Sequence, residues 1–247
     1  MEKRLGLVET QVLRTGMPAD ASLLEREPLA LRMQDWWTLP ADGDAIRGEV
    51  PPIQGLMPKS GFAHELLRKV YTFNGLNGPI ATLGLINGYR LLHEAARAQE
   101  LQETLRRIQA ESTHGLIAEF AFDEAEHRTF QEAAWNKYRD PDLGDTLERN
   151  VRDLARKLGS GERLVGPAAL CLKHGREPIA YAAAIAAALA WKGGEDTDNL
   201  EVRRCVETAG PGEALRLFSG LDPTVGLGKL IMRAWNERSY LFSRRGK

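Results

Sequence analysis

A chain of 247 residues is long enough for one large domain or two small ones with a sizeable core. Its 43% hydrophobic and 27% charged residues are typical of a globular protein. A formal charge of −1 gives no electrostatic reason to expect nucleic acid or an anionic membrane as a partner. Two cysteines, Cys171 and Cys205, are too few for a disulfide framework and fit a reducing cytoplasm.

The N-terminal quarter of the chain has the pattern of short strands and loops. GLVETQVL (6–13) and PLALRMQDWWTL (28–39) alternate or are rich in β-favouring residues, and six of the twelve prolines precede residue 60. The start, MEKRLGLVETQV, has no apolar core of a secretory leader, and no stretch has the length of a membrane span. We therefore expect a cytoplasmic protein with a β-rich segment over 1–60 that contains a small antiparallel element.

From residue 61 to 247 the apolar periodicity is helical, which predicts a mainly α fold with a helical body. Ser60 is placed to cap the first helix, and Asp123 with Glu126 has the pattern of a capping box. A long run over 80–120 is predicted to hold two helices or one helix with a bend. The next predicted helix begins at Asp123 and ends before Pro141. Further helices are predicted over 146–158, 163–174, 178–191, 197–208, 211–218 and 223–241. Gly-rich turns at 210–215 and 226–230 follow no predicted strand, so the sequence shows no dinucleotide-binding turn.

Two Glu-x-x-His pairs raise the question of a metal. Glu111 with His114 and Glu124 with His127 have the spacing found in di-iron helix bundles. The two pairs lie only 13 residues apart, across a predicted turn at 120–123, and such residues are common on solvated helix faces. We therefore predict no metal site.

The stretch RKVYTFNGLNGPIATLGLINGY (68–89) places polar residues where a helix would prefer Leu and Ala. On an α-helix, Lys69, Asn74 and Asn77 fall within an arc of roughly 140°, so one face can present all three. A lysine among apolar neighbours can act as a general base, and carboxamides can hold a developing alkoxide. The alternative is a helix that begins at Gly78–Pro79 with Asn77 as its cap; spacing alone favours this alternative.

The same stretch resembles the catalytic segment of the polyol-specific long-chain dehydrogenases, the mannitol dehydrogenase and mannitol-1-phosphate 5-dehydrogenase family, whose motif is Lys-x4-Asn-x2-His. Further segments are similar, in order along the chain: LGLVETQVLR, PPIQGLMP, LERNVRDLARKLGSGERLVGPA, HGREPIAYAAAIAAAL and GPGEALRLFSGLDP. The resemblance covers nearly all of 1–247. It implies the family's C-terminal domain, a multi-helical domain like that of 6-phosphogluconate dehydrogenase.

The resemblance also implies roles for single residues. Lys69 matches the general base, Asn74 matches the carboxamide that stabilises the substrate oxygen, and Asn77 stands where the family has a substrate-binding His. Asparagine can hydrogen-bond a hydroxyl but cannot titrate. A basic run in a similar segment either contacts a polyol or its phosphate or forms a solvated helix face, two interpretations of equal weight: Arg149, Arg152, Arg156 and Lys157.

The family's members begin with a Rossmann domain that binds NAD or NADP, and this sequence has none. Three hypotheses follow: one half of a split polyol dehydrogenase that pairs with a separate Rossmann-domain protein, a non-catalytic helical interaction module, or a fragment. Splitting at a domain boundary leaves each half with its own core. We favour the split enzyme, with a polyol or polyol phosphate as substrate, NAD or NADP bound by the partner, and no metal.

Overall fold

The computed structural model describes residues 6–237, which form two compact units that divide between Leu67 and Arg68. The chain is mainly α-helical, as predicted. Within 6–237, no helix has both the length and the apolar character needed to cross a bilayer.

The first unit contains four short strands: β1 (Gly16–Pro18), β2 (Leu31–Met33), β3 (Leu39–Asp42) and β4 (Leu56–Lys59), with a short helix, α1 (Ala21–Leu24), between the first two. β1 and β2 form the predicted antiparallel element, with Met17 opposite Arg32. The second pair, β3 and β4, runs parallel, which the sequence did not predict. The connection over 43–55 has the dozen or more residues that a parallel crossover needs.

The helices of the remaining chain lie close to the predicted ones. They are α2 (Phe62–Lys69), α3 (Gly75–Ile86), α4 (Leu92–Arg97), α5 (Gln99–Phe120), α6 (Glu124–Arg139), α7 (Leu147–Val151), α8 (Leu154–Lys157), α9 (Val165–Lys173), α10 (Ile179–Ala190), α11 (Thr197–Ala209), α12 (Pro211–Ala214) and α13 (Gly226–Asn236). Residues 70–74 and 215–219 are π-helical turns.

Local sequence explains where these helices begin and end. The Asp123 side chain accepts a hydrogen bond from the Glu126 N–H, so the predicted cap of α6 is confirmed. The first helix begins at Phe62, after Gly61, and not directly after Ser60. The predicted 146–158 helix is split because Asp153 takes the left-handed conformation, with a φ of 57°. The predicted 80–120 run is three helices, and the predicted end at 238–241 lies outside the described residues.

Helix α10 lies in the centre of the second unit. The residues from Ala180 to Leu189 are buried, which agrees with a helix that is apolar on all sides. The buried Glu111 carboxylate on α5 accepts hydrogen bonds from the N–H groups of Ala180 and Tyr181, at 2.9 and 3.0 Å. These donors belong to the first turn of α10, where a helix leaves its N–H groups unpaired. Glu111 therefore holds the start of α10 against α5.

Arg68, the penultimate residue of α2, is fixed between α5 and α6. Its Nε donates to Nδ1 of the buried His127 at 3.3 Å, and its Nη1 donates to Oε1 of Glu126 at 3.0 Å. The Phe122 and Phe130 rings each lie 4.8 Å from the guanidinium carbon. The members of the two Glu-x-x-His pairs thus take part in contacts within the fold, since His114 Nε2 also lies 3.0 Å from the carbonyl of His174.

His127 should make the protein acid-sensitive. Burial and the neighbouring Arg68 charge lower the pKa of His127 from 6.5 to about 4, against a smaller opposing effect of Glu126. Because the folded pKa is depressed, its contribution to stability is complete above about pH 6.5 and is lost as the pH falls toward 4. We expect the free energy of unfolding in urea to fall by about 2 kcal/mol between about pH 7.5 and pH 5.

The variant His127→Asn should reduce this pH dependence, because its amide oxygen can accept from Arg68 without titrating. His64→Asn, at an exposed histidine, serves as the control and should keep the wild-type slope. An unchanged slope in His127→Asn would contradict the assignment.

Candidate functional site

The stretch that carries Lys69, Asn74 and Asn77 is one continuous helical segment. Helix α2 continues through the π-turn at Val70–Asn74 into α3, and both Asn74 and Gly75 have right-handed helical dihedrals. Asn77 therefore lies inside α3, and the alternative in which it caps a helix beginning at Gly78–Pro79 is wrong. Pro79 has no N–H to give to the Gly75 carbonyl, four residues earlier. The Tyr181 hydroxyl donates to that carbonyl instead, at 2.9 Å.

The π-turn changes the angle around the helix axis between the side chains of Lys69 and Asn74. On a regular α-helix, residues five apart are separated by roughly 140° around the axis. A π-turn closes its hydrogen bonds between residues five apart, so Lys69 and Asn74 stand one turn apart along the segment. The two side chains that the resemblance pairs are therefore closer in direction than α-helical spacing predicts.

Lys69 lies in a setting that favours its neutral form. Its side chain is half-buried, and burial together with the nearby Arg163 charge lowers the pKa of Lys69. Lys137 on α6 is a second amine in this setting, with its Nζ 5.8 Å from the centroid of the Phe73 ring. Burial and the Lys69 charge lower the pKa of Lys137 to about 8, although Asp145 opposes the shift. The effect of the Lys69 charge on Lys137 indicates that the two amines lie near each other.

Asn74 presents a polar atom without a partner. Its Oδ1 is buried and has no hydrogen-bond partner among the described residues. A buried acceptor left unsatisfied costs about 1–3 kcal/mol, which a ligand hydroxyl donating to it would recover. The same amide carries an NH₂ group, which can donate to an oxygen that bears negative charge. The group is thus suited to hold a hydroxyl or an alkoxide.

Asn77 belongs to a hydrogen-bonded chain that leads away from the π-turn. It is 6% exposed, and its Nδ2 donates to Oδ1 of Asn150 on α7 at 2.8 Å. The carbonyl of Asn150 accepts from Nζ of Lys157 at 3.2 Å, and that amine also donates to the carbonyl of Arg152. Burial and the Arg163 charge lower the pKa of Lys157 to about 8. Asn77, which the resemblance places where a His is expected, is therefore held by the fold.

The four basic residues of the 149–157 run do not share one environment. Lys157 is buried, while Arg149, Arg152 and Arg156 are exposed. Arg149 donates to Asp145 at 2.6 Å, and Arg156 pairs with Glu162 at 2.9 Å. The structure thus brings Lys157 toward Asn77, while acidic neighbours pair with two of the three arginines.

Arg163 connects these groups, and sequence reasoning missed it. A Cβ atom added at Gly78 would lie 3.6 Å from Cγ of Arg163, so the arginine stem packs on α3 where the helix has no side chain. Its Nε donates to Glu162 at 3.3 Å. Asn150 and Lys137 were also missed. Arg163 and Asn150 lie in the family-like segment 147–168, which could have indicated them, whereas Lys137 lies outside every quoted segment.

Comparison with known proteins places this arrangement in a family. The model of the mannitol dehydrogenase C-terminal domain matches residues 65–206, more than half of the chain. The chain belongs to the mannitol dehydrogenase C-terminal domain family. The matched range contains Lys69, Asn74 and Asn77 as well as the basic run over 149–157.

Two solved structures share this fold. A mannitol 2-dehydrogenase of Pseudomonas fluorescens, in a ternary complex with NAD and D-mannitol, superposes with a TM-score of 0.75 at 16% identity, over 96% of this chain and 52% of its own. A D-sorbitol dehydrogenase in substrate-free form gives a TM-score of 0.73 at 13% identity, over 95% of this chain and 53% of its own. The chain thus spans about half the length of these enzymes.

Proposed function

We propose that this chain is the substrate-binding and catalytic half of an NAD(P)-dependent polyol dehydrogenase and works with a separate nucleotide-binding protein. One observation carries the proposal: the π-turn sets the half-buried Lys69 one turn from Asn74, whose buried Oδ1 has no partner among the described residues. The family membership supports the reaction class, and the Pseudomonas fluorescens relative that binds NAD and D-mannitol supports a polyol substrate.

The proposed chemistry is the oxidation of a secondary alcohol. Neutral Lys69 accepts the proton of the substrate hydroxyl as the C–H electron pair leaves the same carbon as hydride. The NH₂ group of Asn74 donates a hydrogen bond to the substrate oxygen while that oxygen carries negative charge. NAD or NADP, bound by the partner, supplies the hydride acceptor. The amine of Lys137, which is close enough to feel the Lys69 charge, adds positive charge near this oxygen and favours its alkoxide character.

The described part of the second unit, residues 68–237, contains no dinucleotide-binding turn of the Rossmann kind. In the described range 68–237, the Gly-rich starts of α12 and α13 follow no strand, and a phosphate-binding turn of that type needs one. We therefore assign cofactor binding to the partner. Whether the substrate is a free polyol or its phosphate depends on the groups around Lys137 and Lys157, both of which can pair with a phosphate.

The test is reconstitution. In calorimetric titration the purified chain alone is expected to give no measurable heat of NAD or NADP binding. Mixed with a separately produced Rossmann domain of a mannitol dehydrogenase, it is expected to support NAD(P)H formation from at least one member of a panel of polyols and polyol phosphates. A Rossmann domain incubated with an unrelated helical protein is the control.

Either of two results would contradict the proposal. Stoichiometric binding of NAD by the chain alone would place a nucleotide site within it. Association with the Rossmann domain without turnover of any polyol would favour the non-catalytic interaction module.

A further inference from the structure

The most completely built cluster outside the proposed reaction centre surrounds Arg68, the residue directly before Lys69. The Arg68 side chain is 3% exposed, and its guanidinium carbon lies over the rings of Phe122 and Phe130, 4.8 Å from the centroid of each. Its Nε donates to Nδ1 of His127, and its Nη1 donates to a carboxylate oxygen of Glu126. Stacking and hydrogen bonding together fix both the position and the plane of this group.

His127 extends the cluster to a third helix. Its Nε2 lies 3.2 Å from Oγ1 of Thr113 on α5. Arginine can only donate, so Nδ1 of His127 must accept from Arg68. The low pKa of His127 keeps the ring neutral near pH 7, and its single proton then sits on Nε2 and points to Thr113. Arg68 is thus tied to α6 directly and to α5 through one imidazole.

Packing alone does not require an arginine at this position. A buried cation carries a desolvation penalty, and replacing buried ionic groups with apolar ones of similar volume is often neutral or stabilising. Stacking between two aromatic rings could be replaced by an apolar side chain such as methionine. Unlike an apolar side chain, a guanidinium forms directional hydrogen bonds. These bonds fix one orientation of the backbone that carries the arginine.

That backbone leads directly into the π-turn. Lys69 is the last residue of α2, and the turn begins at Val70. A π-turn is a rare departure from α-helical geometry, so its place in the segment needs support from tertiary contacts. Arg68 supplies such contacts two residues before the turn, on the side that faces α6.

We propose that Arg68 is a positioning residue: its contacts with His127 and Glu126 fix the end of α2, and thereby direct Lys69 toward Asn74 across the π-turn. The proposal rests on the proposed function, in which these two residues carry the chemistry. It gives Arg68 no part in the reaction itself, since its guanidinium is engaged by His127 and Glu126.

The experiment measures the pKa of Lys69, which depends on where its side chain lies. It uses the full chain without a partner or substrate. Lysine amines are labelled by reductive ¹³C-methylation, and the Lys69 resonance is identified by its loss in Lys69→Arg. In Arg68→Met, Lys69 is expected to leave its half-buried setting, so its pKa should rise toward the ordinary lysine value of about 10.4. We expect the Lys69 resonance of Arg68→Met to titrate at a higher pH than that of the wild type.

Two variants separate positioning from other effects. Arg68→Lys keeps the charge but cannot donate to His127 and Glu126 from one planar group. If Arg68 positions Lys69, the Lys69 pKa should rise in this variant too. If only the charge of Arg68 matters, the Lys69 pKa should not change. Arg128→Met makes the same replacement at an exposed arginine of α6 that pairs with Glu124, and should leave Lys69 unchanged.

If Arg68→Met does not fold, Glu126→Gln tests the same contact at an exposed carboxylate and should give a smaller shift in the same direction. A folded Arg68→Met with the wild-type Lys69 titration would overturn the proposal. The titration of Lys69 tests only the positioning role of Arg68. The proposed function is tested separately, by turnover of the reconstituted enzyme.

Discussion

Replacing Lys69 with methionine is expected to lower polyol turnover in the reconstituted enzyme by a factor of about 10² to 10⁴, the range that general-base assistance contributes. Methionine keeps the length and apolar stem of the side chain but cannot accept a proton. The lowered pKa of Lys69 makes the neutral amine more abundant near neutral pH than for an exposed lysine. The measurement is kcat/KM for NAD(P)H formation by both proteins across a range of pH.

The pH profile adds a second readout. A base must be deprotonated to act, so the wild-type kcat/KM should rise with pH through the pKa of Lys69 and then level off. Lys69→Met should lose this rise along with the rate. Lys173→Met, at an exposed lysine that pairs with Glu119, is the control and should keep both. Wild-type turnover in Lys69→Met would remove Lys69 from the mechanism and favour the interaction module.

The helical part of this fold could be predicted because its local sequence specifies it. Asp123 caps α6 as the sequence pattern predicted, and the Ala-rich run after Tyr181 forms a buried central helix. The break at Asp153 was not predictable, since a left-handed aspartate depends on what surrounds the turn: its N–H is held by Asp196, far away in sequence. Capping and periodicity are local, whereas such a break is a tertiary effect.

The site shows the same division. The spacing of Lys69, Asn74 and Asn77 was visible, but the π-turn that relates the first two was not, because VYTFN has no residue that demands it. The partners of these residues come from other elements. Asn150 is 73 residues from Asn77, and Arg163 is a long-range neighbour of Lys69, so no local pattern could pair them.

Asn74→Ala is expected to separate activity from stability. Removing a group that holds the substrate oxygen typically costs a factor of about 10² to 10³ in kcat, which is the loss expected in the reconstituted enzyme. The free energy of unfolding should stay within about 1 kcal/mol of the wild type, because the buried Oδ1 of Asn74 makes no hydrogen bond among the described residues that the substitution would remove. Both quantities are measured on the same preparation, by initial rates and by urea unfolding.

Asn77→Ala is the matched control, with the same chemical change three residues along the segment. The buried Asn77 donates to the half-buried Asn150 at 2.8 Å, so its removal leaves that acceptor without its donor and should lower the free energy of unfolding by about 1–3 kcal/mol. If Asn74 faces the substrate, Asn74→Ala should lose turnover and keep its free energy of unfolding. Asn77→Ala should have a lower free energy of unfolding. If Asn74→Ala destabilised the fold as much as Asn77→Ala and left kcat unchanged, Asn74 would be a structural residue and the proposed oxygen-binding role would be lost.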